Sequence, residues 1–91
     1  MTNDLQQEVM DRLKCDITID EEGNEFWRLN GKLHRTDGPA VIYVDGRQDW
    51  YHNGKRHRVG GPAIILADGS TEWWQNGNYF CKTVTIYNWP N

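Results

Sequence analysis

The side chains in this sequence that chemistry would need are three histidines, two cysteines, one serine and a short basic run. His34 and His57 lie 23 residues apart. Each is followed by an arginine (Arg35, Arg58) and by a Gly-Pro-Ala (Gly38-Pro39-Ala40, Gly61-Pro62-Ala63). An acid–base pair needs two groups set in different surroundings. Histidines duplicated together with their surroundings suit a scaffold better. Asp37 joins His34 and His57 in a site only by force. Ser70 falls in a turn, not in a nucleophile elbow, and there is no phosphate loop. Cys15 and Cys81 lack metal-site spacing. The expectation is a protein that is not an enzyme and carries no metal and no cofactor.

What remains is binding chemistry. Lys55-Arg56-His57-Arg58 is the densest cationic stretch, suited to an acidic protein surface, a phosphate or a lipid headgroup through a salt-sensitive attraction. The alternative use of such residues is structural, with His and Arg bonded to turn carbonyls and holding neighbouring repeats together. Trp27, Trp50 and Trp73 recur at one spacing and predict an aromatic ladder in the core. A second set, Phe26, Tyr51 and Trp74, points the other way because neighbours on a strand alternate. If one row is exposed, Tyr51 and Trp74 carry it. An acidic group, Asp20, Glu21, Glu22 and Glu25, is the third candidate surface.

These residues are positioned by repetition. Trp27, Asn30-Gly31-Lys32, His34-Arg35, Gly38-Pro39-Ala40 and Asp45-Gly46 reappear in order as Trp50, Asn53-Gly54-Lys55, His57-Arg58, Gly61-Pro62-Ala63 and Asp68-Gly69, always 23 residues later without a gap. A third copy starts at Trp73 and Asn76-Gly77, then loses the signature. A fixed period marks a repeat architecture. Glu22-Gly23, Asp45-Gly46 and Asp68-Gly69 predict hairpin turns of type I′, with positive φ at both central residues. Asn30-Gly31, Asn53-Gly54 and Asn76-Gly77 predict a second series by the same logic. The strands flanking the first series are 17–21 with 25–30, 40–44 with 47–52, and 63–67 with 70–75. The fold class is therefore mainly β, an antiparallel meander of stacked hairpins with 23-residue repeats. The Gly-Pro pairs start strands where a lost amide costs least.

The two ends differ from the middle. Leu5, Val9 and Leu13 recur every four residues and, with Asn3 or Thr2 as cap, predict one N-terminal amphipathic helix over 3–14. Tyr79, Phe80, Val84, Ile86, Tyr87 and Trp89 predict a closing strand over 78–89. The chain then reads as a single domain, 1–91: helical segment 1–15, repeats 16–77, closing segment 78–91. A chain of this size buries only about 60–65% of its unfolded surface, so large aromatic rings are expected to fill much of its core.

Residues 1–25 carry a net charge of −6 and residues 26–91 a net charge of +3. The overall excess of acid argues against nucleic acid as a partner, while the repeats alone are mildly basic. No apolar run reaches the roughly 18 residues of a membrane helix. The polar N-terminus is no signal peptide, which predicts a cytoplasmic protein with reduced thiols.

The segment from Trp50 through Asn53-Gly54-Lys55-Arg56-His57 to Asp68-Gly69 resembles a MORN repeat, over residues 17–77. Such repeats share the aromatic strand, the Asn-Gly-Lys turn and the terminal Asp-Gly turn. The chain departs from that pattern after the lysine, where His34-Arg35 and His57-Arg58 replace the usual glycines. That His-Arg/Gly-Pro-Ala variant is similar to repeats in short proteins of bacteriophages and other large DNA viruses, and to MORN-type repeats of antitoxin-like proteins. The resemblance implies an elongated protein-binding scaffold. Its viral flavour implies a phage protein that binds a host or bacterial protein, such as a defence enzyme or toxin, in the host cytoplasm. Two alternatives stand beside it. Residues 68–77 are similar to the aromatic turns of choline-binding cell-wall repeats, which implies a carbohydrate- or choline-binding module. A homodimer through an exposed sheet edge would serve a structural role.

Overall fold

The structure is a computed structural model and describes residues 15–84. It is built from ten strands: β1 (Cys15–Ile19), β2 (Glu25–Leu29), β3 (Lys32–Leu33), β4 (Val41–Ile42), β5 (Gln48–Asp49), β6 (Tyr51–His52), β7 (Lys55–Arg56), β8 (Ile64–Ile65), β9 (Thr71–Gln75) and β10 (Asn78–Thr83). The main sheet runs β1-β2-β4-β5-β8-β9-β10, with β3 beside the second half of β2, and β6 and β7 form a separate pair. Every pairing is antiparallel. The fold is mainly β, as the hairpin signals predict. The helix expected over 3–14 lies outside the described residues, and Cys15, assigned to the helical segment, opens β1. Of the closing segment 78–91, residues 78–83 form β10 and those beyond Val84 are outside the described residues.

The strand expected over 47–52 is divided at Trp50. Its first half pairs with β4 on one side and β8 on the other, and its second half pairs with β7. Trp50 itself serves both: its amide donates to the Ala63 carbonyl and its own carbonyl accepts from His57 N at 3.2 Å. Trp27 repeats this, donating to Ala40 O at 2.7 Å and accepting from His34 N at 3.0 Å. The two tryptophans thus mark where the chain passes from one hydrogen-bond ladder to the next. Buried backbone amides and carbonyls must both find partners, and here the acceptor for the amide and the donor to the carbonyl come from two different neighbours.

The two turn series differ. Asn30, Asn53 and Asn76 have φ of 51°, 50° and 49°, each followed by a glycine at 83°, which is the type I′ geometry. In the other series the positive φ falls on the glycine alone: Gly23, Gly46 and Gly69 at 98°, 99° and 92°. Gly46 N donates to Tyr43 O, and Tyr43 N to Arg47 O. That is a type I turn closed by a left-handed glycine, so the type I′ expectation is corrected there. At two of these three turns an aspartate supports the geometry. The Asp45 carboxylate accepts from Arg47 N at 2.9 Å and that of Asp68 from Ser70 N at 2.9 Å, a local bond that holds the aspartate in the ordinary right-handed region.

The fully buried apolar residues are small. Ala40 and Ala63 are 0% exposed, and Val41 and Ile64 2%. Trp27, Trp50 and Trp73 are only half-buried, so the expected aromatic core is corrected to an alanine and β-branched one. β1 and β10, at the two ends of the strand order, are exposed along their whole length. Cys15 and Cys81 are free, exposed thiols on these two strands.

Gly46 has open space where a Cβ would lie, so Gly46→Ala is opposed only by its backbone conformation. The variant should lose about 1–2 kcal/mol in a denaturant titration. An unchanged midpoint would contradict the left-handed assignment.

Candidate functional site

Alternation along β2 and β9 and the cross-strand registers divide the side chains between two faces. On the first face, arginines cover tryptophans. Arg35 Cζ lies 3.7 Å from the Trp27 ring centroid, and Arg58 Cζ 4.0 Å from that of Trp50. Each guanidinium also donates to the proline carbonyl four residues on, Arg35 to Pro39 O at 3.3 Å and Arg58 to Pro62 O at 3.2 Å. Gly38 and Gly61 make room for this. A Cβ at Gly61 would stand 2.8 Å from Arg58 Cζ, and one at Gly38 2.8 Å from Arg35 Cζ. The His-Arg/Gly-Pro-Ala signature therefore encodes a stacked, hydrogen-bonded arginine over each tryptophan.

The histidines join consecutive copies of the motif. Asn53 N donates to His34 Nδ1 at 3.0 Å, and Asn76 N to His57 Nδ1 at 3.0 Å. These acceptances leave the ring proton on Nε2 in the neutral form. His52 lies between them, its ring centroid 4.5 Å from His34 and 5.8 Å from His57. Among the described residues no group of His, Cys, Asp and Glu could hold a metal ion.

The opposite face carries Phe26, Arg28, Asp49, Tyr51, Glu72 and Trp74. Across it, Arg56 pairs with Tyr51 and Tyr79 with Trp74. Asp49, 1% exposed, is buried at its centre and held by Arg47, with Nε 2.8 Å from Oδ1 and Nη2 3.1 Å from Oδ2. The Asp49 carboxylate raises the Arg47 pKa, and burial followed by the same carboxylate raises that of Tyr43. Glu72, in the equivalent place, accepts from the Trp74 indole at 3.0 Å. Next to this row, Arg56 Cζ lies 5.9 Å from the Tyr51 ring centroid and 4.9 Å from that of Trp74. Tyr79 meets Trp74 edge-on at 5.4 Å.

Tyr51, Gly54, Lys55, Arg56, Trp74 and Gly77 line a hollow of about 330 Å³. Arg56 is the exception among the arginines of the described residues. Arg28, Arg35, Arg47 and Arg58 each donate to an oxygen, whereas Arg56 Nε is closed off from solvent with no acceptor. Leaving such a donor unpaired costs about 1–3 kcal/mol.

Of the residues singled out in the sequence, Tyr51, Lys55, Arg56 and Trp74 thus meet around one hollow. Arg58 is on the other face, stacked on Trp50. Asp20, Glu21 and Glu22 form the exposed β1–β2 turn. The Asp20 carboxylate accepts from Asn24 Nδ2 at 3.1 Å, from Asn24 N at 2.9 Å and from Glu22 N at 3.0 Å. Its pKa is lowered first by the Asn24 side chain and then by the Asn24 amide. The Glu25 carboxylate accepts from the Trp27 indole. Sequence reasoning missed Tyr79 as part of the Trp74 cluster. It also missed the Arg47–Asp49 pair, whose signal is an aspartate standing where the neighbouring copies have Phe26 and Glu72.

Comparison of the chain with protein-family models, with curated proteins and with solved structures gave no match. No helix among the described residues is long and apolar enough to cross a membrane. Fold and site together define an antiparallel β protein with arginine–tryptophan stacks on one face and the Arg56 hollow beside Tyr51 and Trp74 on the other.

Burial, and then the charge on His52, hold the His34 pKa below the ordinary histidine value of 6.5. The folded chain therefore takes up this proton less readily than the unfolded one. Stability is fully present above the unfolded-state pKa and is lost as pH falls through the window beneath it. Protonation also turns Nδ1 from acceptor to donor and breaks the bond from Asn53. The denaturant midpoint should drop on going from neutral pH to about 5, because stability falls wherever the folded state binds fewer protons. His34→Asn, whose Oδ1 can replace Nδ1 as acceptor, should weaken that dependence, and an unaltered pH profile would contradict it.

Proposed function

We propose that this chain is a non-catalytic repeat module of the MORN-like kind. It binds a partner protein through the face formed by Tyr51, Arg56, Trp74 and Tyr79. The observation that carries this reading is the composition of that strip. Tyr, Trp and Arg are the residues enriched where binding energy concentrates in protein interfaces, and here they lie side by side around an open hollow. The opposite face spends its arginines and histidines on bonds within the chain and offers a partner less. The 23-residue repeat is the device that places the strip.

The resemblance to repeats of phage and large-virus proteins extends the proposal. The partner is a host protein of the bacterial cytoplasm, such as a defence enzyme or toxin, and binding inhibits it. The exposed acidic turn at Asp20, Glu21 and Glu22 supplies a second contact suited to a basic surface.

Affinity capture from bacterial lysate with the tagged chain, quantified by mass spectrometry, tests this. A stoichiometric partner should be retained by wild type and lost with Trp74→Ala or Tyr51→Ala, variants whose folding is checked by circular dichroism. Charge removal at Glu21 and Glu22 should weaken capture most at low salt. A partner retained equally by all variants would place the interface elsewhere.

A further inference from the structure

The hollow at Arg56 has a chemistry narrower than a general contact surface. Arg56 sits on β7, between Tyr51 of β6 on one side and the β9–β10 turn on the other, where Gly77 N donates to Arg56 O at 2.8 Å. Its guanidinium is flanked by the Tyr51 and Trp74 rings at 5.9 and 4.9 Å, and Trp74 is in turn fixed by Glu72 and Tyr79. The group is therefore held in place with no hydrogen bond donated by its nitrogens among the described residues. Nε is covered, which removes the side-on mode of binding and leaves the end of the fork, Nη1 and Nη2. The other arginines show what such groups do when an acceptor is within reach: Arg47 takes the Asp49 carboxylate through two nitrogens, and Arg35 takes Asp37 at 2.8 Å. Gly54 and Gly77 contribute backbone to the wall, and Lys55 adds to its positive charge.

We infer that the Arg56 hollow is a carboxylate-binding site that receives an acidic side chain, Asp or Glu, of the partner protein. This deepens the proposed function and rests on its reading of the Tyr51–Trp74 face. A planar carboxylate matches the end of a guanidinium with two parallel bonds, and an arginine already held between rings loses little freedom on making them. Phosphate too can pair with the fork through two oxygens; a carboxylate is the occupant because the partner is a protein, whose acidic side chains also bring an apolar stem to the rings. Charge complementarity selects the occupant, and the rings exclude water around it, as the surroundings of an interface anchor do.

The test is a titration of the ¹⁵N-labelled full chain, following the Arg56 Nε–Hε and Trp74 indole signals by NMR. The probes are acetyl-Glu-Glu-Glu-amide, acetyl-Gln-Gln-Gln-amide and inorganic phosphate at matched ionic strength. The glutamate peptide should shift both signals saturably, with the glutamine peptide inert and phosphate, which brings no apolar stem to the Tyr51 and Trp74 rings, weaker. Arg56→Lys keeps the charge and removes the fork, and should lose the Trp74 indole response, the signal that remains in that variant, while its thermal midpoint shows it folded. Equal shifts with phosphate, a full response in Arg56→Lys, or no shift with the glutamate peptide would overturn the assignment. So would the same shift produced by raising the protein concentration alone, which would put the chain's own carboxylates in the hollow. The proposed function has its own readout: if Trp74→Ala abolishes partner capture while Arg56→Gln leaves it intact, the face still binds the partner and the carboxylate site falls.

Discussion

The structure depends on how the backbone at Trp27 and Trp50 is satisfied. Each of these residues gives its amide to one ladder and its carbonyl to another. The strands on either side are two residues long around Trp50, too short to be stable through one neighbour. A residue in this position has to be fixed from both sides at once. The fixing groups are local: an arginine on the tryptophan ring, a proline carbonyl that receives that arginine, and a glycine that leaves space for it. Between copies the link is a histidine nitrogen that accepts an asparagine amide from the next turn. The Asn53-Gly54 and Asn76-Gly77 turns are each bonded in this way to a histidine earlier in the chain.

This economy has a consequence for function. Arg35, Arg58, His34 and His57 of the Trp27–Trp50 face are engaged in bonds within the chain. On the other face Arg28, Asp49 and Glu72 are likewise bonded within the chain, while the guanidinium of Arg56 is not. There the copies diverge: Asp49 stands where Phe26 and Glu72 stand, and Tyr51 where Arg28 and Trp74 stand. Arg56 replaces Leu33 of the preceding copy. Repetition fixes the frame and substitution within it creates the hollow between Tyr51 and Trp74.

Much of the fold was legible because turn chemistry is local. Asn-Gly at 30–31, 53–54 and 76–77 dictates positive φ at two adjacent residues, and the chain reverses there. Asp-Gly was misread in type because an aspartate side chain can satisfy a backbone amide two residues on, a choice that the dipeptide alone does not reveal. The division of strand 47–52 at Trp50 was not legible, since pairing with two neighbours is a property of the whole sheet and leaves the alternation of side chains intact. In the site, Tyr51 and Trp74 could be placed on one face by counting. The link between them was missed, because Arg56 read as one charge in a basic run. Its role follows from its register opposite Tyr51, and Arg58, two residues further on, is taken up by Trp50 instead.

Oxidative footprinting of the chain with and without its captured partner tests the central claim most directly, since it reads each aromatic side chain separately. The account predicts that Tyr51, Trp74 and Tyr79 lose labelling in the complex while Trp27 and Trp50 are labelled as in the free chain. Protection of Trp27 and Trp50 with Tyr51 and Trp74 unaffected would contradict the division into an arginine–tryptophan face and a binding face.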